Sequence, residues 1–400
     1  MPGPTIFDDA PRTDDRPSRH TEARSGFLNR TAGPVFDRIR AALEEWYQHY
    51  PSAGRTDLRA RLRSGANDTF SGAFWELYQH ETLTRMGFGL TLHPDVPDIA
   101  KHPDFLAQRP GELGFYLEAT LAAPSREERA AKRRLGAVYD LLNDLSTPSF
   151  FLGVEVEKQG PCAPATGRLR RDLLTWLDGL DADALIAEPD RYAMRHANEH
   201  VWEEAGWRIE FTPIPKSPEH RGKPGRAIGM SSEAARYVDT KSGLRRAIRE
   251  KAGRYGKPDR PYIVAVLIED DYTDQEDVLD ALFGTVSYRL SMKGDGEVSS
   301  IDPVRQRDGP WFAHAGPSNT RVSAVMTAIN LQPSFVTRGT PRLWHNPWAS
   351  RSLTDSLVWR TTRVDALAGS IDDRPAERDP ADLLGLPADW PGPEDPFPHE

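Results

Sequence analysis

Residues 102–121 read HPDFLAQRPGELGFYLEATL, and this stretch decides the fold class that the sequence predicts. Two strand-like runs, Asp104 to Ala107 and Phe115 to Leu121, flank the turn signal at residues 109–111. The second run alternates between an apolar face and a face that carries Glu118. Its apolar positions are Phe115, Leu117, Ala119 and Leu121. A carboxylate inside a strand costs free energy unless it is solvated or paired, and a divalent cation offsets that cost.

Two further carboxylates accompany Glu118. Asp104 begins the first run, and a hairpin would bring it close enough to share a ligand with Glu118. Glu76 lies one element earlier, on a helix predicted over residues 70–86. Oxygen ligands suit Mg²⁺ or Mn²⁺, which activate water and stabilise the charge on a phosphodiester. We therefore expect Asp104, Glu118 and Glu76 to form an acidic metal site, with Glu81 as the alternative to Glu76.

The order of these residues resembles the PD-(D/E)xK nuclease superfamily, which includes many restriction enzymes and Holliday-junction resolvases. The family pattern is Gly-x-x-x-Glu on a helix, Pro-Asp at a strand start and Glu-x-Lys on the next strand, followed by a helix and a strand. The matching residues here are Gly72 with Glu76, Pro103 with Asp104, and Glu118. The resemblance covers about residues 68–157. It implies an α/β fold with a restriction-endonuclease-like mixed sheet flanked by helices.

Thr120 stands at the position where the family has its lysine, which positions the attacking water or stabilises the scissile phosphate. We keep Thr120 in the expected catalytic group, but its hydroxyl carries no charge. A lysine must then come from elsewhere in the chain. Lys132, on a helix predicted over residues 125–145, is the first candidate, and Lys101 is the second. Without such a lysine, the resemblance implies a fold that binds without cutting.

Composition and periodicity divide the chain into four parts. Residues 1–33 are polar and charged, which predicts a disordered lead. Residues 34–182 carry helix, strand, strand, helix, strand and helix patterns, which predict the nuclease-like α/β domain. Residues 183–368 repeat strand and helix patterns, among them an apolar strand predicted at Tyr262–Ile268, and we expect a second α/β region that recognises substrate or extends the core. Residues 369–400 are rich in Pro and Asp, which predicts a tail with one docked piece near residues 383–390.

The overall composition limits the compartment and the partners. The chain has 400 residues, a formal net charge of -9 and a single cysteine, so an intramolecular disulfide is excluded. The start of the sequence does not resemble a signal peptide, and no apolar run is long enough to span a membrane. We expect a cytoplasmic protein without a membrane partner. An acidic chain can still carry a local basic groove.

Basic residues supply the candidate contacts to nucleic acid. Arg129, Arg133 and Arg134 follow the acidic strand, and we expect them to contact phosphate, although a solvated helix face explains them equally well. Within the basic run at residues 245–260, the part from Lys251 to Arg260, with Tyr255 and Tyr262, offers a second surface for nucleic acid. DNA is therefore the expected partner, and a homodimer or a protein of a defence system are further candidates.

Other chemistries find less support, because the sequence has neither a P-loop nor a Gly-x-Ser-x-Gly elbow. The expected function is a Mg²⁺-dependent DNA endonuclease in restriction, repair or phage defence. One alternative is a non-catalytic nucleic-acid-binding or regulatory protein on a degenerate nuclease fold. Another is an assembly protein whose partner binds the basic helix within residues 245–260.

Overall fold

The computed structural model describes residues 3–97, 99–223, 225–233, 239–293, 297–354, 357–365 and 370–394. The chain divides into two compact units, which we describe separately. The first comprises Met1–Asp14, Ala23–Ala123 and Val238–Pro396, and the second comprises Asp15–Glu22, Pro124–Tyr237 and Phe397–Glu400. The second unit is thus largely an insertion between two long segments of the first.

The α-helices of the described residues are, in chain order, α1 (Arg24–Arg30), α2 (Pro34–His49), α3 (Ser52–Leu62), α4 (Asn67–Arg85), α5 (Arg126–Asn143), α6 (Thr166–Asp178), α7 (Ala182–Ala187), α8 (Arg191–Ala197), α9 (Ser242–Ala252), α10 (Gln275–Phe283) and α11 (Pro380–Leu384). Short 3₁₀ helices cover Pro218–His220 and Pro333–Phe335. In the part of the chain described, no helix is both long and apolar enough to cross a membrane.

The strands of the described residues are β1 (Gly89–Leu92), β2 (Phe105–Gln108), β3 (Phe115–Ala122), β4 (Phe150–Lys158), β5 (His200–Glu204), β6 (Trp207–Pro215), β7 (Ile228–Glu233), β8 (Tyr262–Ile268), β9 (Val286–Met292), β10 (Val298–Arg305), β11 (Phe312–Ala313), β12 (Gly316–Pro317), β13 (Ala324–Ile329), β14 (Arg342–His345), β15 (Arg360–Val364) and β16 (Ile371–Arg374).

The first unit contains a mixed sheet in the order β1-β2-β3-β8-β13-β14-β15-β16. Strand pairs β3–β8, β8–β13 and β14–β15 are parallel, and the other neighbours are antiparallel. Strand β8 has the sequence YIVAVLI and is buried at every position. A strand covered on both faces is an unbroken apolar run, which explains why its bounds coincide with the sequence prediction. The mixed sheet with flanking helices confirms the predicted α/β class.

Helices cover the sheet next to β3. Leu244 and Ile248 of α9 share a buried cluster with Tyr116 of β3 and Val264 of β8, so α9 covers the face to which Glu118 also points. Helix α4 lies on the other face. Its His80 packs against the ring of Phe105, which pairs with Leu117 on that face. The indole of Trp75 on α4 donates to the carbonyl oxygen of Ala265 at 3.0 Å.

The second unit contains a four-stranded sheet in the order β5-β6-β4-β7, in which only β4 and β7 are parallel. Leucines at helical spacing on α5 and α6 pack against the inward residues of β4 and β6. This core includes Leu135, Leu142, Leu169, Leu173, Leu152, Val154, Ile209 and Phe211. Helix α5 begins at a capping box, in which the Ser125 side chain accepts from the Glu128 amide and the Glu128 side chain accepts from the Ser125 amide.

The units differ from the division predicted from composition. The predicted boundary at residue 182 falls inside the second unit, and so do the helix and strand that we expected to complete the nuclease-like core, α5 and β4. Because these elements carry the same α/β periodicity as the first unit, periodicity alone could not assign them. The later helix and strand that pack against β3 are α9 and β8, which follow the insertion.

The predicted lead is more ordered than its composition suggested. Ile6 and Phe7, within this lead, are buried, and the Phe7 amide donates to Glu44 at 2.8 Å. Helix α1 also lies in the lead. In the predicted tail, α11 is present and Leu383 and Trp390 are buried, where a docked piece was expected near residues 383–390. A few apolar residues are sufficient to dock a polar segment, which averaged composition does not detect. Residues 366–369 and 395–400 lie outside the described residues.

Candidate functional site

Asp104 directly precedes β2 and faces Glu118 in the middle of β3. Phe105 of β2 pairs with Leu117 of β3 in antiparallel register, so one further step along this register sets Asp104 opposite Glu118. Asp104 Oδ2 accepts a hydrogen bond from the Ala119 amide at 2.7 Å. The hairpin expected from the sequence therefore brings these two carboxylates together.

The carboxylate of Glu118 is buried and is surrounded by donors from the end of α9. Lys251 Nζ lies 2.6 Å from Glu118 Oε1, and Arg254 Nη1 lies 2.8 Å from the same oxygen. The Tyr255 hydroxyl donates to Glu118 Oε2 and also lies 3.0 Å from the His102 carbonyl oxygen. Burial, reinforced by the hydrogen bond to Glu118, raises the pKa of Tyr255 far above its usual range, so the phenol stays a donor.

The ionisation of Asp104 is strongly affected by its surroundings. Burial, followed by the charges of Glu118 and Glu76, raises the pKa of Asp104 to about 8, while the Ala119 amide and Lys251 act in the opposite direction. An acid that burial and neighbouring acids keep from ionising is one that a bound cation stabilises in its charged form. Perturbed acids of this kind are common at functional sites.

Glu76 is close enough to influence Asp104 but has its own partners. Arg61 donates to both of its oxygens, at 2.7 and 3.1 Å, and the Tyr50 hydroxyl lies 2.5 Å from Oε1. Tyr50 also packs against Phe105, which places this group on the α4 face of the sheet, opposite the face of Glu118. Glu76, Asp104 and Glu118 therefore do not form a compact trio of ligands.

The structure places the remaining predicted site residues as follows. Thr120 is half-buried on β3, where it pairs with Val266. Lys101 is exposed, before β2. Lys132, Arg129, Arg133 and Arg134 all lie on α5 and so belong to the second unit. Within the first unit, the lysine that contacts a predicted site carboxylate is Lys251 rather than Lys101 or Lys132.

Sequence reasoning missed Lys251, Arg254 and Tyr255 as neighbours of Glu118. The basic run at residues 245–260 was recognised, but it was interpreted as a separate surface. A usable signal was present: an amphipathic basic helix precedes the strong strand Tyr262–Ile268, which is the helix-then-strand order that follows the acidic strand in the family pattern. The helix and strand at residues 126–158 come first in the chain and match the same order, so the later helix and strand were not assigned to the site.

A second cluster with possible metal ligands occurs elsewhere in the first unit. Among the described residues, only Glu45, His49 and Glu81 form a trio whose ligand atoms all lie within 4.8 Å of one another. Arg85 already occupies this cluster, with Nε 2.5 Å from Glu81 and Nη2 3.0 Å from Glu45. Glu81 is thus paired with Arg85 and His49, which explains its burial without a metal ion.

The Asp104–Glu118 pair fits a hard divalent cation better than its small number of ligands suggests. Mg²⁺ is commonly held by one or two carboxylates and keeps several waters or substrate oxygens as its other ligands. Among the described contacts, Asp104 uses only Oδ2, which leaves Oδ1 available. Glu118 offers a carboxylate whose present partners are cationic and phenolic donors. Asp104 therefore has one oxygen available for an ion, whereas Glu118, like Glu76, would have to give up a present partner to bind one.

Comparison with protein-family models gave no match, and searches of curated proteins and of solved structures returned no similar chain. The fold and the contacts around Glu118 are therefore the basis for any functional argument.

Proposed function

We propose that this chain is a metal-dependent endonuclease that hydrolyses DNA phosphodiester bonds. The observation that carries the proposal is the convergence of Asp104, Glu118 and Lys251 at one place in the first unit. Two acids beside a lysine are the side chains required by the family that the sequence resembles. Thr120 has no charge, so in this proposal Lys251 takes the role of the family's lysine.

The order of elements gives additional support. Helix α4, strands β1 to β3, helix α9 and strand β8 follow one another as in the pattern that the resemblance implies, once the second unit is treated as an insertion after β3. Parallel pairing of β3 with β8 across a helix is the usual result of such a crossover. The restriction-endonuclease-like fold is thus the finer description that we propose for the first unit.

In this proposal Asp104 and Glu118 hold Mg²⁺ or Mn²⁺, and Glu76 supports them through its charge and by ordering Arg61. Such an ion, when bound, supplies an activated water and stabilises negative charge on the phosphate. Lys251 and Arg254 already surround a carboxylate oxygen, and the same donors suit the oxygens of a phosphodiester. On the second unit, Arg129, Arg133 and Arg134 are proposed contacts to the DNA backbone.

One observation favours the alternative, a non-catalytic protein that binds nucleic acid or regulates a partner. Lys251 and Arg254 neutralise Glu118 directly, so the buried carboxylate has compensation without any metal ion. If this ion pair is permanent, the acidic site is structural and the surrounding basic groups bind without cutting. The distinction depends on whether a divalent cation binds at Asp104 and Glu118.

The deciding experiment measures Mn²⁺ binding by calorimetry and cleavage of linear, supercoiled and single-stranded DNA with Mg²⁺ or Mn²⁺. We expect Asp104→Asn and Glu118→Gln to lose both metal binding and cleavage, because each replaces a charged ligand with a neutral isostere. We expect Lys251→Met to lose cleavage while it keeps metal binding. His49→Ala is the matched control for the second cluster and should change neither.

The possible outcomes separate the two proposals. Wild-type protein that neither binds Mn²⁺ at this pair nor cuts any substrate favours the non-catalytic protein. If the Asp104→Asn variant cuts DNA as well as the wild type, the catalytic site does not include Asp104. Loss of Mn²⁺ binding in His49→Ala, with binding retained in Glu118→Gln, would move the metal to the other cluster.

A further inference from the structure

The hairpin of β9 and β10, which we call the arm, forms a two-stranded sheet of its own in the first unit. Its strands pair in antiparallel register, from Val286 with Arg305 at the base to Met292 with Val298 towards the tip. Residues 294–296 lie outside the described part of the chain. Two strands alone are marginally stable in water, so an arm of this kind normally gains stability from something that packs on it.

One face of the arm is apolar and exposed. Tyr288, Leu290 and Met292 alternate along β9 and therefore share a face. Ile301 lies opposite Leu290 and Val298 opposite Met292, so both belong to the same face. The exposed fractions are 68% for Tyr288, 59% for Leu290, 64% for Met292, 52% for Val298 and 60% for Ile301.

The base of the arm is firmly anchored, so the exposure of the apolar face is not a sign of a loose segment. Arg245 of α9 lies 2.9 Å from Asp308 and 3.0 Å from the Thr285 hydroxyl. Arg305, at the end of β10, lies 2.8 Å from Asp280 of α10. These contacts fix the base of the arm to α9 and α10.

The charges of the arm disfavour nucleic acid as its partner. On the opposite face, Arg289 pairs in register with Asp302. Near the tip, Lys293 lies 3.2 Å from Glu297. The basic and acidic side chains of these pairs therefore cancel, whereas a surface that binds a phosphate backbone has an excess of positive charge. An uncharged apolar stripe suits a protein surface that is also apolar.

The area of the stripe points to a second copy. Five half-exposed side chains present on the order of 500 Å², at the upper end of the largest patches on monomeric proteins. Two such stripes facing each other bury about 1,000 Å² in total, which is near the lower limit of a specific interface. A two-fold axis brings identical patches together, and an apolar stripe with no net charge is self-complementary under that operation. The overall charge of -9 does not oppose this contact, because the stripe itself is uncharged.

We propose that the arm is a dimerisation element, in which the stripe of Tyr288, Leu290, Met292, Val298 and Ile301 packs against the same stripe of a second copy of this chain. The proposal is independent of the nuclease activity, since it rests on the arm and not on Glu118 or Asp104.

The test is the mass of the full chain in solution, by light scattering after gel filtration and by sedimentation equilibrium over a range of concentrations. We expect wild-type protein at twice the chain mass of 44.8 kDa. Leu290→Glu places a carboxylate in each stripe and should weaken the dimer by about a hundredfold or more, because the two charges meet in an apolar contact. Ser291→Glu is the matched control, since it adds the same charge to the neighbouring residue on the opposite face.

A second measurement guards against misfolding of the Leu290→Glu variant. A spin label at Arg289→Cys, in a Cys162→Ser background that removes the exposed native thiol, should report a defined distance between two labels in the dimer. The far-ultraviolet circular dichroism spectrum of each variant should match that of the wild type, which shows that the variants fold. A monomeric wild-type chain overturns the proposal, whether or not it binds lipid vesicles or another protein through the arm. Dissociation of both glutamate variants, or of neither, also overturns it.

Discussion

The Lys251 ammonium lies 2.6 Å from Glu118 Oε1, although 133 positions separate the two residues in the chain. Lys251 is largely buried and Glu118 is almost fully buried, so each needs the other in the folded state. Removing one member of a buried ion pair leaves an uncompensated charge, which costs more than an exposed pair contributes.

Lys251→Met is therefore expected to lower the free energy of unfolding by about 2 kcal/mol, less than the full loss of a buried pair because Arg254 and Tyr255 still contact Glu118. Urea unfolding followed by circular dichroism measures this change. The control is Lys257→Met, since Lys257 is exposed six residues further along. The double variant Lys251→Met with Glu118→Gln should recover part of the loss, which would reveal the coupling between the two side chains. Equal effects at Lys251 and Lys257 would contradict the pairing.

Acid should destabilise the first unit through His345. Burial, followed by the charges of Arg363 and Arg374, lowers the pKa of His345 to about 4 from 6.5. Between these values the unfolded chain binds a proton that the folded protein does not. Stability is therefore lost as the pH falls from 6.5 towards 4, by on the order of 2 kcal/mol near pH 5.

The His345 prediction is checked by unfolding in urea at several pH values. In His345→Gln the slope of the unfolding free energy against pH should fall by about 1.4 kcal/mol per pH unit within this window. His314→Gln is the matched control, because His314 is exposed. An unchanged slope in His345→Gln would mean that another group carries the pH dependence.

The buried and exposed leucines around β3 test the position of the core. Leu117 is fully buried, whereas Leu113, just before the strand, is 53% exposed. Leu117→Ala leaves a cavity and should cost about 3 kcal/mol. Leu113→Ala should change stability by less than about 0.5 kcal/mol. Chemical unfolding of the two variants measures the difference in the free energy of unfolding. Similar losses in the two variants would contradict the buried position of β3 in the sheet.

Two glycines with nearly the same positive φ distinguish the cost of backbone strain from the cost of crowding. Gly284 and Gly316 have φ values of 105° and 106°. A Cβ at Gly284 would lie 1.9 Å from the Gln306 carbonyl oxygen, whereas a Cβ at Gly316 would meet nothing within 4 Å. Gly316→Ala should cost about 1 kcal/mol from the backbone alone.

Gly284→Ala should cost about 3 kcal/mol or more, because main chain at the base of the arm must move. Thermal unfolding distinguishes the two variants. The Gly284→Ala change should also weaken the proposed dimer, since it shifts the arm. If both variants lose the same stability, the close approach of Gly284 to Gln306 is not present in solution.

Part of this architecture followed directly from local patterns in the sequence. Strand Tyr262–Ile268 was predicted at its observed bounds, because a continuous buried strand is apolar at every position. The alternation around Glu118 correctly put its carboxylate on the opposite face from Leu117. Helix α2 also reflects a local pattern, since its apolar stripe stops short of Pro51, two residues beyond the last residue of the helix.

Long-range partners did not follow from those patterns. Lys132 was the expected lysine because it is near Glu118 in sequence, but α5 belongs to the inserted unit. Glu76 was expected to bind metal from its spacing, yet Arg61 and Tyr50 already engage both of its oxygens. Spacing along one element fixes a face, but it does not specify which other element packs on that face.

The sequence by itself therefore determined the secondary structure around β3 and the presence of a carboxylate inside it, because hydrophobic periodicity and burial cost act over a few residues. Only the tertiary structure decided what surrounds that carboxylate. The pairing of β3 with β8 brings α9 over Glu118, and Lys251 arrives there from beyond an inserted unit. Contacts of this range depend on which strands become neighbours, a property that no local pattern encodes.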